Sequence, residues 1–158
     1  MADNKATQRR SADDLVVGLG DSYTVKNLAA TIELAASSAD DTITFGRIPS
    51  NARLVSASRI NNDDLATTGS PTLDLGLFGV DSNITDDDDA LNDGIGLNAA
   101  GADVQVIKDI ANIGAPAWSL VSGQSSDPGG EFIVRGTIKD AATNQTGTVT
   151  IDLYYVVD

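Results

Sequence analysis

Short segments in which apolar and polar residues alternate recur along this chain and constrain its fold more than any other feature. In residues 72–80, Leu73, Leu75 and Leu77 fall on one side of an extended chain, and Asp74 and Phe78 fall on the other. Residues 131–139 and 148–157 alternate in the same way. Because side chains of a β-strand point to opposite faces with a period of two, these segments predict strands with one buried face.

About eight such strands, separated by turn-rich segments, predict an all-β fold. The acidic residues support this prediction, since 21 are Asp and only two are Glu. Asp favours turns, whereas Glu favours helix interiors. We therefore expect an antiparallel β-sandwich or a jelly-roll-like barrel, with long loops and a flexible N-terminal arm.

Several segments carry individual expectations. The apolar positions of residues 15–34 predict some strand, although the Ala-rich residues 27–36 could be helical by propensity. Residues 81–106 read as the longest irregular stretch, with at most one helical turn near 89–93. Residues 117–121 read as a strand around Trp118. The last two strands are joined by residues 140–147, whose Asn, Thr and Gly suit a turn.

The chain divides into an arm, residues 1–14, and a single β-sandwich domain, residues 15–158. The arm is polar and lacks periodic apolar positions, and it carries the basic residues Lys5, Arg9 and Arg10. These three residues are candidates for contacting an acidic neighbouring protein. The alternative interpretation is that the arm is a frayed terminus without a binding role. No secretory signal or membrane-spanning run is visible, so the sequence predicts a soluble protein.

The composition disfavours an enzyme. The chain has no His and no Cys, so the commonest general base, the thiolate nucleophile and the commonest nitrogen and sulfur metal ligands are missing. We expect no catalytic residues and no cofactor. Pairs of adjacent aspartates leave a polysaccharide-degrading enzyme as a remote alternative.

The net charge of -13 argues against nucleic acid and anionic membranes as partners. The acidic residues are concentrated beyond residue 60, where the chain has sixteen acidic and only three basic residues. The run Asp86-Asp87-Asp88-Asp89 offers oxygen ligands of the kind that Ca²⁺ prefers, but its spacing does not fit an EF-hand. A solvated acidic loop is the favoured interpretation, and no metal site is predicted.

Three segments resemble small head proteins of tailed bacteriophages, the decoration or cement type. They are the run FGRIPSNARLVSASRINNDDLATTGSPTLDLGLFG at residues 45–79, the acidic segment DDDDALNDGI at 86–95 and the closing GTVTIDLYYVVD. The resemblance implies a protein of the outer capsid surface, made in the bacterial host cytoplasm. It also implies a trimer that clamps neighbouring major capsid protein subunits, with the N-terminal arm contacting the shell.

A clamping protein needs apolar contacts between copies, for which Phe78, Trp118 and Tyr154 are the candidates, although all three could instead lie inside the monomer. A virion appendage module of the head or tail that binds a host receptor or glycan is the alternative function, because β-sandwiches also serve that role.

Overall fold

The structure is a computed structural model that describes residues 24–81 and 84–157. Within these residues the chain forms nine strands and two 3₁₀ turns, at Ile110–Asn112 and Ala117–Leu120. The strands are β1 Lys26–Leu34, β2 Thr42–Pro49, β3 Ala52–Leu54, β4 Arg59–Asn62, β5 Thr72–Gly79, β6 Asp87–Gly96, β7 Gly101–Gln105, β8 Glu131–Lys139 and β9 Gly147–Val157. The arm with Lys5, Arg9 and Arg10, and the apolar run that begins at Leu15, lie outside the described residues.

The strands form two antiparallel sheets. The five-stranded sheet has the order β1-β9-β4-β7, and β3 also pairs with β9. The four-stranded sheet has the order β2-β8-β5-β6. The two sheets pack face to face over one apolar cluster, so the predicted β-sandwich is confirmed.

The core lies between the inner faces of the two sheets. From β5 come Leu73, Leu75 and Leu77, all fully buried, as the alternation predicts. The opposite sheet contributes the fully buried Ile151 and Leu153 of β9. Burying one such side chain stabilises a fold by about 1.5–3 kcal/mol, so this layer dominates the stability of the sandwich.

The acidic segment is more ordered than its sequence predicts. Residues 87–96 form the edge strand β6, which pairs with β5, so the expectation of an irregular stretch with a helical turn was wrong there. Asp has a low strand propensity, but Leu91 and Ile95 are buried in the core. Burial of these apolar residues outweighs the local preference of the aspartates.

One open alternative is settled and one further expectation was wrong. The Ala-rich segment is not a helix but the strand β1, paired with β9 along its whole length from Lys26 to Leu34. The segment around Trp118 is a 3₁₀ turn preceded by Pro116, not a strand. The first segment is a strand because β9 supplies hydrogen-bond partners along the whole of β1. The second is not a strand because Pro116 has no backbone N–H to donate to a neighbouring strand.

The last two strands do not form a hairpin. Strand β8 belongs to the four-stranded sheet and β9 to the other, so residues 140–146 cross from one sheet to the other. Two polar side chains anchor this crossover. The hydroxyl of the buried Thr143 accepts a hydrogen bond from Ser37 N at 2.9 Å. The side chain of Asn144 accepts one from Thr67 N at 2.9 Å and donates one to Thr68 Oγ1 at 2.8 Å.

Candidate protein-interaction surface

The outer face of the four-stranded sheet carries an apolar and basic patch at one end. The pairing places Arg47 of β2 beside Ile133 of β8, and Ile133 beside Phe78 of β5. Arg135 lies two residues further along β8, and Pro49 ends β2. Arg47 is exposed and the other four are half-buried. These five residues are called the Phe78 patch.

Arg135 stacks on the aromatic ring at the centre of this patch. Its Cζ lies 4.4 Å from the centroid of the Phe78 ring, a distance typical of a cation–π contact worth about 0.5–1 kcal/mol at an exposed site. Its Nε is buried without a hydrogen-bond partner in the described chain. The contact therefore fixes Phe78 and the guanidinium in one orientation.

The two arginines of the patch are not neutralised by the many acids of this chain. Among the described residues the side chains of Arg47 and Arg135 form no ion pair and no hydrogen bond. Arginine offers five N–H donors in a planar fork that suits carboxylates and backbone carbonyls. Together with the half-buried ring, the patch has the aromatic and arginine composition that is enriched in protein interfaces.

The other end of the same face is acidic. Lys139 Nζ lies 2.9 Å from Asp88 Oδ2 and 3.5 Å from Asp40 Oδ1. The hydrogen bond to Asp88 raises the pKa of Lys139. Burial raises the pKa of Asp74, and the nearby Asp93 and Asp88 add to this effect against the hydrogen bond from Gly94 N. The face is therefore divided along its strands into an apolar end, which carries two arginines and the exposed Glu131 opposite Pro49, and an acidic end.

A glycine allows the acidic strand to fold over this face. The pairs Leu75–Asn92 and Leu77–Asp87 are two residues apart in β5 but five residues apart in β6, so β6 bulges between them. The extra residues of β6 lie over Gly76, where a Cβ would stand 2.5 Å from the Asp88 Cα. Only glycine leaves room for this close approach of two backbones.

The aspartates of the acidic run are hydrogen-bonded within the protein. Gly79 N donates to Asp86 Oδ1 at 2.8 Å, and Ser122 N donates to Asp87 Oδ2 at 2.6 Å. A hydrogen bond to Asp87 is the main cause that raises the pKa of Asp89. Carboxylate oxygens of residues 87–89 lie within 4.8 Å of one another, but such exposed groups are common without an ion. Three of the four aspartates thus belong to an edge strand, where acidic side chains also discourage pairing with other sheets.

Tyr154 lies on the opposite side of the sandwich, on the outer face of the five-stranded sheet. The surroundings there are polar, and their hydrogen bonds are made internally: Thr31 Oγ1 and Thr150 Oγ1 are 2.9 Å apart, and Arg59 Nη1 donates to Gln105 Oε1 at 3.0 Å. Tyr154 and Phe78 therefore do not form one patch. The prediction that both contact other copies is untested.

Trp118 lies in the 3₁₀ turn Ala117–Leu120 and belongs to no strand of either sheet. Its backbone N–H donates to Ser50 O at 3.0 Å, and its half-buried side chain packs against the core. These contacts fit an anchor inside the monomer, which the sequence left open as the alternative to an interface role. Its role between copies also stays a prediction.

Sequence reasoning identified Phe78 but missed Arg47, Ile133 and Arg135. The alternation in residues 131–139 already places Ile133 and Arg135 on the face opposite the buried Phe132 and Val134. It does not reveal that β8 lies between β2 and β5. That order brings the three residues to Phe78.

No protein-family model and no curated protein sequence matches this chain. A solved structure with a similar fold is a chain of the cyanophage Pam1 capsid asymmetric unit. The likeness covers 99% of this chain and 99% of that chain, with a TM-score of 0.59 and 21% sequence identity. At this identity the likeness concerns the fold. In the described residues, no helix is long and apolar enough to cross a membrane.

Proposed function

We propose that this protein is a non-enzymatic structural protein of a bacteriophage head. It is a decoration or cement protein that binds the outer surface of the assembled capsid and stabilises contacts between major capsid protein subunits. The observation that carries this proposal is the likeness in fold, over 99% of both chains, to a chain of a phage capsid. The resemblance of the acidic and C-terminal segments to decoration proteins supports it independently.

The molecule has the physical properties that a decoration protein needs. A protein that binds only the assembled shell stabilises that shell by mass action and needs no chemistry. The Phe78 patch supplies the binding surface in this proposal, because its two arginines have no acidic partner in the described chain while its aromatic ring is held in place. The partner surface that fits it is apolar with carboxylates or carbonyls at its rim.

The acidic end of the same face limits how the protein can dock. Asp74 and Asp88 lie on the strands that carry or border the patch, so an acidic partner surface is attracted at one end and repelled at the other. Opposite charges at the two ends of the face fix the orientation in which the protein docks more than they increase its affinity for the partner surface.

The proposed oligomer is a homotrimer on the capsid surface. Phe78 and Tyr154 lie on opposite faces, so a single flat contact cannot use both. A cyclic trimer joins its neighbours through two different surfaces of each copy. Sedimentation equilibrium of the free protein measures this state directly.

A matched pair of charge reversals tests the role of the patch. Arg47→Glu changes an exposed side chain of the patch, and Lys26→Glu makes the same change of net charge on the other sheet. Both variants are added to particles that lack the protein, and the bound fraction is measured by cosedimentation. We expect at least tenfold weaker binding for Arg47→Glu, which corresponds to about 1.4 kcal/mol, and little change for Lys26→Glu. Equal binding of the two variants would remove the patch from the proposal.

A further inference from the structure

Strand β6 contains a second bulge, near its C-terminal end. The pairs Leu73–Ile95 and Leu75–Asn92 are two residues apart in β5 but three residues apart in β6, so β6 has one extra residue there. Gly94 in this bulge has a φ of 81°, and a Cβ built on it would meet no atom of a more distant residue within 4 Å. Asp93 and Gly94 are both exposed. The peptide bond between them therefore lies at the surface and outside the regular hydrogen-bonding pattern of the strand.

An exposed Asp–Gly bond is prone to rearrangement, because the glycine nitrogen has no side chain to shield it from the aspartate carboxyl. The chain contains this one Asp–Gly pair and no Asn–Gly pair. When Gly94 N forms a bond to Asp93 Cγ, the amide proton and the carboxyl OH leave together as water, and a succinimide ring remains. Water then adds back at either ring carbonyl. Opening at Cγ restores aspartate, and opening at the backbone carbonyl gives isoaspartate.

The folded protein holds both reacting groups in place. Gly94 N donates a hydrogen bond to Asp74 Oδ1 at 2.8 Å. Lys108 Nζ donates one to the backbone carbonyl of Asp93 at 2.8 Å and lies 3.4 Å from Asp93 Oδ2. The ion pair alone is weak because both side chains are exposed, but together with the carbonyl contact it holds Asp93 at two points. A nitrogen whose N–H is bonded to a carboxylate must break that bond before it can turn toward Asp93 Cγ.

We propose that Asp93 is a site of spontaneous isomerisation to isoaspartate, and that Asp74 and Lys108 keep this reaction slow in the folded protein. Asp74 acts as a positioning residue that directs the Gly94 N–H away from Asp93. Isoaspartate carries the backbone through Cγ and lengthens it by one methylene group, which disturbs the pairing of β6 with β5 beyond the bulge. The modification would thus loosen the acidic edge of the sandwich. This inference does not depend on the proposed function.

Two substitutions of Asp74 separate its hydrogen bond from its charge. Asp74→Ala removes the acceptor for Gly94 N, whereas Asp74→Asn keeps an acceptor oxygen in the same place. Lys108→Ala is a second variant, which releases Asp93 from the other side. The folded proteins and the wild type are incubated for weeks at neutral pH and digested. Isoaspartate at each aspartate is then quantified by mass spectrometry with electron-transfer fragmentation.

We expect Asp74→Ala to form isoaspartate at residue 93 about tenfold faster than the wild type, which corresponds to about 1.4 kcal/mol in the barrier. Lys108→Ala should also be faster, and Asp74→Asn should match the wild type. The rise should be confined to residue 93. Equal rates at residue 93 in Asp74→Ala, Lys108→Ala and the wild type would overturn the proposal. A rise of the same factor at the other aspartates would also overturn it, because general loosening of the fold would then be the cause.

Discussion

Replacing Gly76 by alanine tests whether the acidic strand β6 requires a residue without a side chain at this position of β5. The new Cβ would overlap the backbone of Asp87 and Asp88, with 2.5 Å to the Asp88 Cα. Backbone atoms cannot rotate away as a side chain can, so the start of β6 must move. The shift would also strain the 2.9 Å ion pair between Asp88 and Lys139.

The size of the effect follows from two opposing contributions. Forcing an additional methyl group into a packed site with a backbone shift costs about 1–3 kcal/mol. Replacing glycine by alanine restricts the unfolded chain and returns about 0.4–1 kcal/mol. We expect a net loss of about 1–2 kcal/mol, which lowers the melting temperature by roughly 2–8 °C in a domain of this size.

Thermal and urea unfolding of Gly76→Ala measure this loss, with Gly96→Ala as the control. Gly96 lies in the same strand β6, and a Cβ there meets only Asn98 Oδ1 at an ordinary 3.6 Å. The control should equal the wild type or exceed it by less than about 1 kcal/mol. Wild-type stability of Gly76→Ala would refute the close approach of β6 to β5.

Three further predictions concern charge. The pKa of Asp63 is lowered by hydrogen bonds from the backbone N–H and the hydroxyl of Thr148, so Thr148→Val should raise it; an NMR titration that shows no rise contradicts this. The stability that Asp63 contributes is present above its unfolded pKa of about 3.9 and is lost as pH falls through its folded pKa. Because the pKa of Asp74 is raised, its charge opposes folding at neutral pH. Asp74→Asn should stabilise the fold at pH 7, and the gain should decline as pH falls through the folded pKa; urea unfolding at several pH values checks this. Deleting residues 1–10, with Lys5, Arg9 and Arg10, should preserve the melting temperature and weaken shell binding most at low salt, and unchanged cosedimentation would exclude an arm contact.

The fold class could be predicted from the sequence because apolar and polar residues alternate over much of β5, β8 and β9. Leu73, Leu75 and Leu77 needed no structural information to be assigned to the core. The acidic strand β6 could not be recognised, since its pairing depends on bulges and on the space above Gly76. Neither feature leaves a periodic signal in the chain.

The candidate surface was predicted only in part for a similar reason. Phe78 stood out as an aromatic residue on the polar side of a strand. Its neighbours Arg47 and Arg135 are 31 and 57 residues away in the chain and meet it through the strand order β2-β8-β5. Strand order in a sandwich is set by the packing of the whole core and not by a local motif. The surface could therefore be identified only once the sheets were in place.

The central proposal is that many copies of this protein cover a phage head, and their number is the most direct measurement of it. Quantitative mass spectrometry of purified particles gives the ratio of this protein to the major capsid protein. A decoration role predicts a copy number close to that of the major capsid protein. A handful of copies per particle would contradict it and favour an appendage that binds a receptor or glycan, and absence from the particle would reject a structural role in the virion.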